Sequence, residues 1–180
     1  MNVAFEAADA LLLARGAKTI EHPGGTLYEH LQRVRALLAE WKAGYDVQLA
    51  GLCHAFYGTD GFATALLPLD QRAILADAIG LRAESLVYLY ASAERDDVYP
   101  RLHEKRVEFR DRFTHTQRIP DGESLNAFVE ITAANELDVV RHNRALAIEH
   151  GKALLKLFSD SRSHLSSAAW QAWRSEPLPQ

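Results

Sequence analysis

The amino-acid sequence predicts an all-α fold, on three observations. Apolar residues recur at three- and four-residue spacing along most of the chain. Capping and breaking residues punctuate that pattern at intervals suited to ordinary helices. Alternation of apolar and polar residues, the mark of a half-buried strand, is confined to one short stretch near residues 108–119. The 180 residues, 48% hydrophobic and 24% charged, suffice for one domain with a substantial core. The expectation is a single unit of about eight helices over residues 1–176, with a disordered tail at 177–180 (PLPQ).

The first helix is expected over 3–15, with Phe5, Ala8, Leu11 and Leu12 at helical spacing and Gly16 as its stop. A loop, AKTIEHPGGT, leads to Thr26, an N-cap with Glu29 in capping-box position. The helix that follows runs to about Trp41, with an apolar stripe of Leu27, Leu31, Val34, Leu37 and Leu38 that also carries His30. Asp46 is expected to cap a third helix, apolar at nearly every position, that ends at His54. Gly58 and Gly61 break it, and GTDGF forms a turn with Asp60 near its apex. Pro68 and Asp70 open DQRAILADAIG, closed by Gly80, and LRAESLVYLYASAE follows. Residues 95–122 are charged and broken by Pro100 and Pro120. Within them EFRDRFTHTQRI suggests a short hairpin or an irregular lid over one face. Ser124 is expected to cap a long helix to about His142, and two more helices, 144–158 and 162–174, close the chain.

Composition narrows the partners. Net charge is −4 with no long run of either sign, which argues against nucleic acid and against an anionic membrane. No stretch is apolar for long enough to span a bilayer, and the N-terminus lacks the basic and small-residue features of a signal peptide. The single cysteine, Cys53, cannot form an internal disulfide and reads as a small buried hydrophobe. A cytoplasmic protein is the expectation. RVEFRDRFTHTQR is basic with aromatics, but its interrupting acids favour a solvated hairpin. Trp170 and Trp173, three apart, either dock the last helix or make a homodimer contact.

Two segments carry chemistry: TLYEHLQRVRALLAEW and LAGLCHAFYGTDGF. Each sets one histidine, His30 and His54, within an apolar helical pattern. H-L-x-R-V on one helix and A-x-L-x-H at the end of the next resemble the HD-domain superfamily, and within it the hydrolases of the alarmone ppGpp. RAILADAIGLRAESLVYLYAS and ITAANELDVVRHN resemble later helices of those enzymes, so the likeness covers roughly 20–145. The resemblance implies an HD-like domain and a two-histidine, two-aspartate metal site in which His30 and His54 are ligands. Ala55 stands where that family has the aspartate of its HD pair, Asn135 where it has the last aspartate, and Gly58 and Thr59 where it has an acidic pair. The loss of the carboxylates removes the negative charge and oxygen ligands that a divalent ion favours. A transition-metal cofactor would need a further ligand from Glu21, His22, Asp60, Glu136 or Asp138; otherwise no cofactor is implied.

The leading expectation is therefore a small-molecule enzyme with a repurposed, hydrolase-like site. His30 and His54 would act as an acid/base pair, with Asn135 and Tyr57 beside them. Arg33, Arg95, Thr59 and Asp60 would bind an anionic or nucleotide-like metabolite. The alternatives are a metal-dependent phosphohydrolase with a rebuilt ligand set, a ligand-binding or regulatory module without chemistry, and purely structural histidines. Of the other histidines only His22, beside Pro23-Gly24-Gly25, sits where it would join the site.

Overall fold

Helix packing around α7 organises the molecule, described here for residues 3–179 of a computed structural model. The α-helices are α1 (Val3–Ala14), α2 (Leu27–Glu40), α3 (Tyr45–Cys53), α4 (Arg72–Ile79), α5 (Leu81–Ser92), the single turn α6 (Arg95–Val98), α7 (Gly122–His142), α8 (Arg144–Asp160) and α9 (Ser167–Ser175). Short 3-10 turns and two antiparallel strand pairs complete the described residues: β1 (Glu21–His22) with β2 (Gly25–Thr26), and β3 (Phe109–Arg110) with β4 (Gln117–Arg118). The all-α class expected from the periodicity is what the chain adopts.

α2, α3, α5 and α7 pack on one another and supply the centre of a continuous apolar cluster. α1 and α4 cover one side of it, and α8 and α9 cover α7. The α2–α3 contact depends on Gly51: a Cβ there would collide with the Leu38 side chain. α9 docks through Trp173, which is fully buried, donates to the Ala133 carbonyl (3.0 Å) and packs on Phe158.

Local chemistry sets most boundaries. α2 opens with the expected capping box: Thr26 accepts from the Glu29 backbone, and Glu29 accepts from Thr26 N–H at 2.8 Å. Two other caps differ from expectation. Gly44, not Asp46, precedes α3, and Asp46 lies in its first turn, where a negative charge favours the helix dipole. Asp121, not Ser124, caps α7 by accepting from Ser124 N–H at 2.7 Å. The stretch read as a loop before Thr26 forms the β1–β2 hairpin, with His22 opposite Gly25.

The hairpin expected within 95–122 is present as β3–β4, but it is not a lid. Phe109 packs edge-on against Phe128, Arg118 donates to Ser92 Oγ (2.7 Å) and Arg112 to the Ala91 carbonyl (2.6 Å). These contacts fasten the hairpin to α5 and α7. The tail also departs from expectation: Leu178 packs against the core beside Gly151. Gln180 lies outside the described residues.

Candidate functional site

Two helical stripes face each other across the α2–α7 contact. On α2, His30 and Arg33 are three residues apart; on α7, Asn135, Asp138 and His142 share one face for the same reason. Asp138, 2% exposed, is the hub of these contacts. It accepts from His30 Nδ1 (2.7 Å) and from Arg33 through Nε (2.7 Å) and Nη2 (3.0 Å). Burial works against its charge, but the bonds from His30 and Arg33 outweigh it and hold the carboxyl below the usual carboxylate range. Arg33 also donates to the Pro23 and Gly24 carbonyls, tying the β1–β2 turn to α7. Gly24 takes a positive φ of 79° there, and a Cβ on it would strike His142.

His30 is fully buried and both of its ring nitrogens are engaged. Nε2 lies in hydrogen-bond contact with the Asn135 side-chain amide at 3.1 Å, and Asn135 in turn pairs with Glu136 Oε1 at 3.1 Å. The amide orientation is assigned from this network. His54, at the end of α3, donates from Nδ1 to the Gly51 carbonyl (2.8 Å), which leaves the lone pair on Nε2. Its ring stands edge-on to His30, with centroids 5.4 Å apart, and near Tyr90 at 5.1 Å. His22 stacks on His30 at 3.9 Å, and its Nδ1 is buried without a hydrogen bond of acceptable geometry.

A cavity of about 300 Å³ opens beside this cluster, walled by His22, His54, Thr59, Arg95, Asn135 and Glu136 among others. Two of the imidazoles in its wall, His22 and His54, are neutral near pH 7. Burial, reinforced by His30, lowers His54 to about 3 and His22 to about 4. Arg95 is already paired: it donates to Glu136 Oε1 (3.1 Å) and to Tyr90 Oη (3.3 Å). Burial disfavours its charge, yet Tyr90, Tyr99, Glu136 and Asp60 together raise its pKa above the ordinary arginine value. Burial also pushes Tyr90 up to about 12, so its phenol stays protonated.

The residues expected at the site separate into three groups. His54, Asn135, Thr59 and Arg95 form the cavity wall, joined by His22. His30 lies behind that wall and acts on it through Asn135 and the two flanking imidazoles. Arg33, Tyr57 and Asp60 are not brought to bind or react with a ligand. Arg33 is spent on Asp138 and the hairpin carbonyls. Tyr57 points away and donates to Glu84 Oε1 at 2.8 Å. Asp60 is exposed and accepts from Arg95 N–H at 2.7 Å, fixing the start of α6. Glu136, one residue from Asn135, reaches the cavity as well because its carboxylate turns back toward Arg95 and Tyr99. The sequence signal for Asp138 was a charge three residues after Asn135 on an otherwise apolar face.

A divalent metal does not fit this donor set. Both His30 nitrogens are taken up by hydrogen bonds, and Asp138 is held by His30 and Arg33. Among the described residues, no group of three or more His, Cys, Asp or Glu side chains is placed to hold a metal ion. Cys53 adds no nucleophile: it is fully buried, and burial pushes its thiol far up.

The family described as "Domain of unknown function (DUF6817)" matches residues 11–95. That segment holds α2, α3 and the three clustered histidines, and it stops before α7 with Asn135, Glu136 and Asp138. No curated protein and no solved structure matches the chain. Among the described residues, no helix is long and apolar enough to cross a membrane.

Proposed function

We propose that this chain binds a small organic metabolite, without a metal, in the cavity between α2, α3 and α7. The scaffold reads as HD-like, from His30 and His54 on successive helices opposite a late helix at Asn135. One observation carries the reading. His54 keeps an uncommitted Nε2 lone pair on the cavity wall, while both nitrogens of His30 are engaged. A wall that presents the neutral imidazoles of His22 and His54, a carboxamide and a paired cation is suited to recognition by hydrogen bonds.

A catalytic reading uses the same lone pair, with His54 as a general base beside Asn135 and Thr59. Its low proton affinity weighs against it, because a base works best with a pKa near the working pH. Thermal-shift screening against metabolites, with the same mixtures analysed for turnover, separates the two. Binding predicts a rise in melting temperature that grows with ligand concentration. That rise is absent in His54→Ala and retained in His103→Ala, which alters an exposed histidine. A shift that survives His54→Ala would refute the site, and His54-dependent product formation would move the assignment to an enzyme. Metal analysis of the purified protein is expected to find no stoichiometric transition metal.

A further inference from the structure

A second cavity of about 390 Å³ shares Arg95, Glu136, Val139, Leu146 and His150 with the histidine cavity. Its remaining wall is different in kind: Tyr99, Pro100, Val140, Ala153, Leu154 and Leu157. The two spaces therefore meet at the Arg95–Glu136 pair, polar on one side and apolar on the other. From this juxtaposition we infer that the ligand is an amphiphile, with an uncharged polar head against His54 and Asn135 and an acyl or aromatic limb along α8.

Shared walls argue for one occupant of both spaces. A ligand confined to the histidine cavity would leave the apolar surface of Val140, Leu154 and Leu157 open beside it, and covering that surface is favourable. The charge balance argues for an uncharged head. The one arginine in either wall is ion-paired to Glu136 at 3.1 Å, and His22 and His54 are neutral. A polyphosphate would meet no uncompensated arginine or lysine in these walls; the third imidazole, His150, is half-exposed and faces the Glu149 carboxylate at 3.7 Å, so desolvation of several charges would be poorly compensated. A hydroxyl, amide or carbonyl meets acceptors and donors at His54, Thr59 and Asn135 without displacing the ion pair. Arg95 then sets the boundary between head and limb: its guanidinium is held by Glu136 and Tyr90, and Asp60 holds its backbone.

This inference rests on the proposed ligand-binding reading, so its test must separate the two. The probes are straight-chain primary amides from butanamide to octanamide, with octyl phosphate as the charged counterpart, titrated into the full chain by calorimetry or ligand-observed NMR. Affinity is expected to rise about fourfold per methylene, with octanamide binding more tightly than octyl phosphate. Ala153→Trp places bulk in the apolar cavity from an exposed wall position. It is expected to flatten the chain-length dependence while leaving butanamide binding and the unliganded melting temperature near wild type. If Ala153→Trp lowers the melting temperature, Leu157→Met, which reshapes the same wall with little change in volume, must still shift the chain-length dependence. Affinity that does not change with chain length, or tighter binding of octyl phosphate, overturns the amphiphile and leaves the histidine site standing if His54→Ala still removes binding. Absence of any His54-sensitive binding across the series overturns the underlying reading as well.

Discussion

Two buried carboxylates each gather a polar cluster, and only one of the clusters adjoins the histidine cavity. Glu84 on α5, 5% exposed, accepts from Arg72 at 2.6 and 2.9 Å and from Tyr57 at 2.8 Å. The Arg72 guanidinium also lies 3.8 Å from the Tyr88 ring centroid. Asp138 on α7 gathers His30 and Arg33 in the same manner. The two are alike in burial, in bidentate arginine pairing and in joining separate helices. They differ in what lies next to them. The Glu84 partners complete one another, whereas the Asp138 cluster ends in Asn135 and the neutral rings of His22 and His54, which line a cavity. Burial and residue type do not distinguish a site from a structural network; uncommitted lone pairs facing space do.

Removing each hub is the strongest way to test that comparison. Asp138→Ala strands Arg33 beside His30 and should lower unfolding free energy by about 3–5 kcal/mol, the range for breaking a buried pair. Glu84→Ala should cost less, on the order of 2 kcal/mol, because the Arg72 side chain is 37% exposed and can recover water. Urea denaturation of both variants measures the difference. A larger loss for Glu84→Ala would break the ranking.

The histidine side should also make the fold sensitive to acid. His54 has a folded pKa near 3 and an unfolded value near 6.5, so the unfolded chain binds the extra proton first as pH falls. The stabilisation is complete above about pH 6.5 and is lost as pH drops toward the folded value. Asp138 acts in the same direction lower down, since its pKa is depressed. Replacing the ring with a non-titrating amide isolates the contribution of His54. Between pH 6 and 4, His54→Gln should lose about 1 kcal/mol less stability per pH unit than wild type. Parallel stability–pH curves would show that the ring is not held neutral. His30, His22 and Arg95, the cationic or titratable neighbours that depress His54, are unchanged in that variant.

Much of the helical frame was legible because its causes are local. The Thr26–Glu29 capping box, the stripe on α2 and the stop at Gly80 depend on neighbours within a turn or two. His30, His54 and Asn135 were legible as a group through their resemblance to a known arrangement, and the structure brings them together. Tyr57 and Arg33 are turned to partners outside the cavity wall for a shared reason. Both adjoin a candidate histidine in sequence, but their partners, Glu84 and Asp138, lie 27 and 105 residues away. Helical rotation decides which neighbour of a buried residue shares its direction, and partner geometry decides what remains free. The β1–β2 hairpin was missed because each strand has only two residues, too few for alternation to register. It matters, since it carries His22 to the face of His30.

Tyr57 gives the finest separation of the two clusters. It lies three residues after His54, is 3% exposed, and was expected at the reacting centre. Its hydroxyl donates to Glu84 and takes no part in the cavity wall. Burial and Glu84 both raise its pKa, so it remains a neutral donor throughout the working range. Tyr57→Phe keeps the ring and deletes one hydrogen bond to a carboxylate that still holds Arg72 by two others. The expected loss is about 1 kcal/mol, seen as a lower urea midpoint at unchanged m-value. Ligand affinity should remain within twofold of wild type, because the change is confined to the closed cluster. A loss of affinity in Tyr57→Phe without loss of stability would mean that the Glu84 cluster communicates with the cavity. The boundary between structural network and site would then fall on the far side of α3.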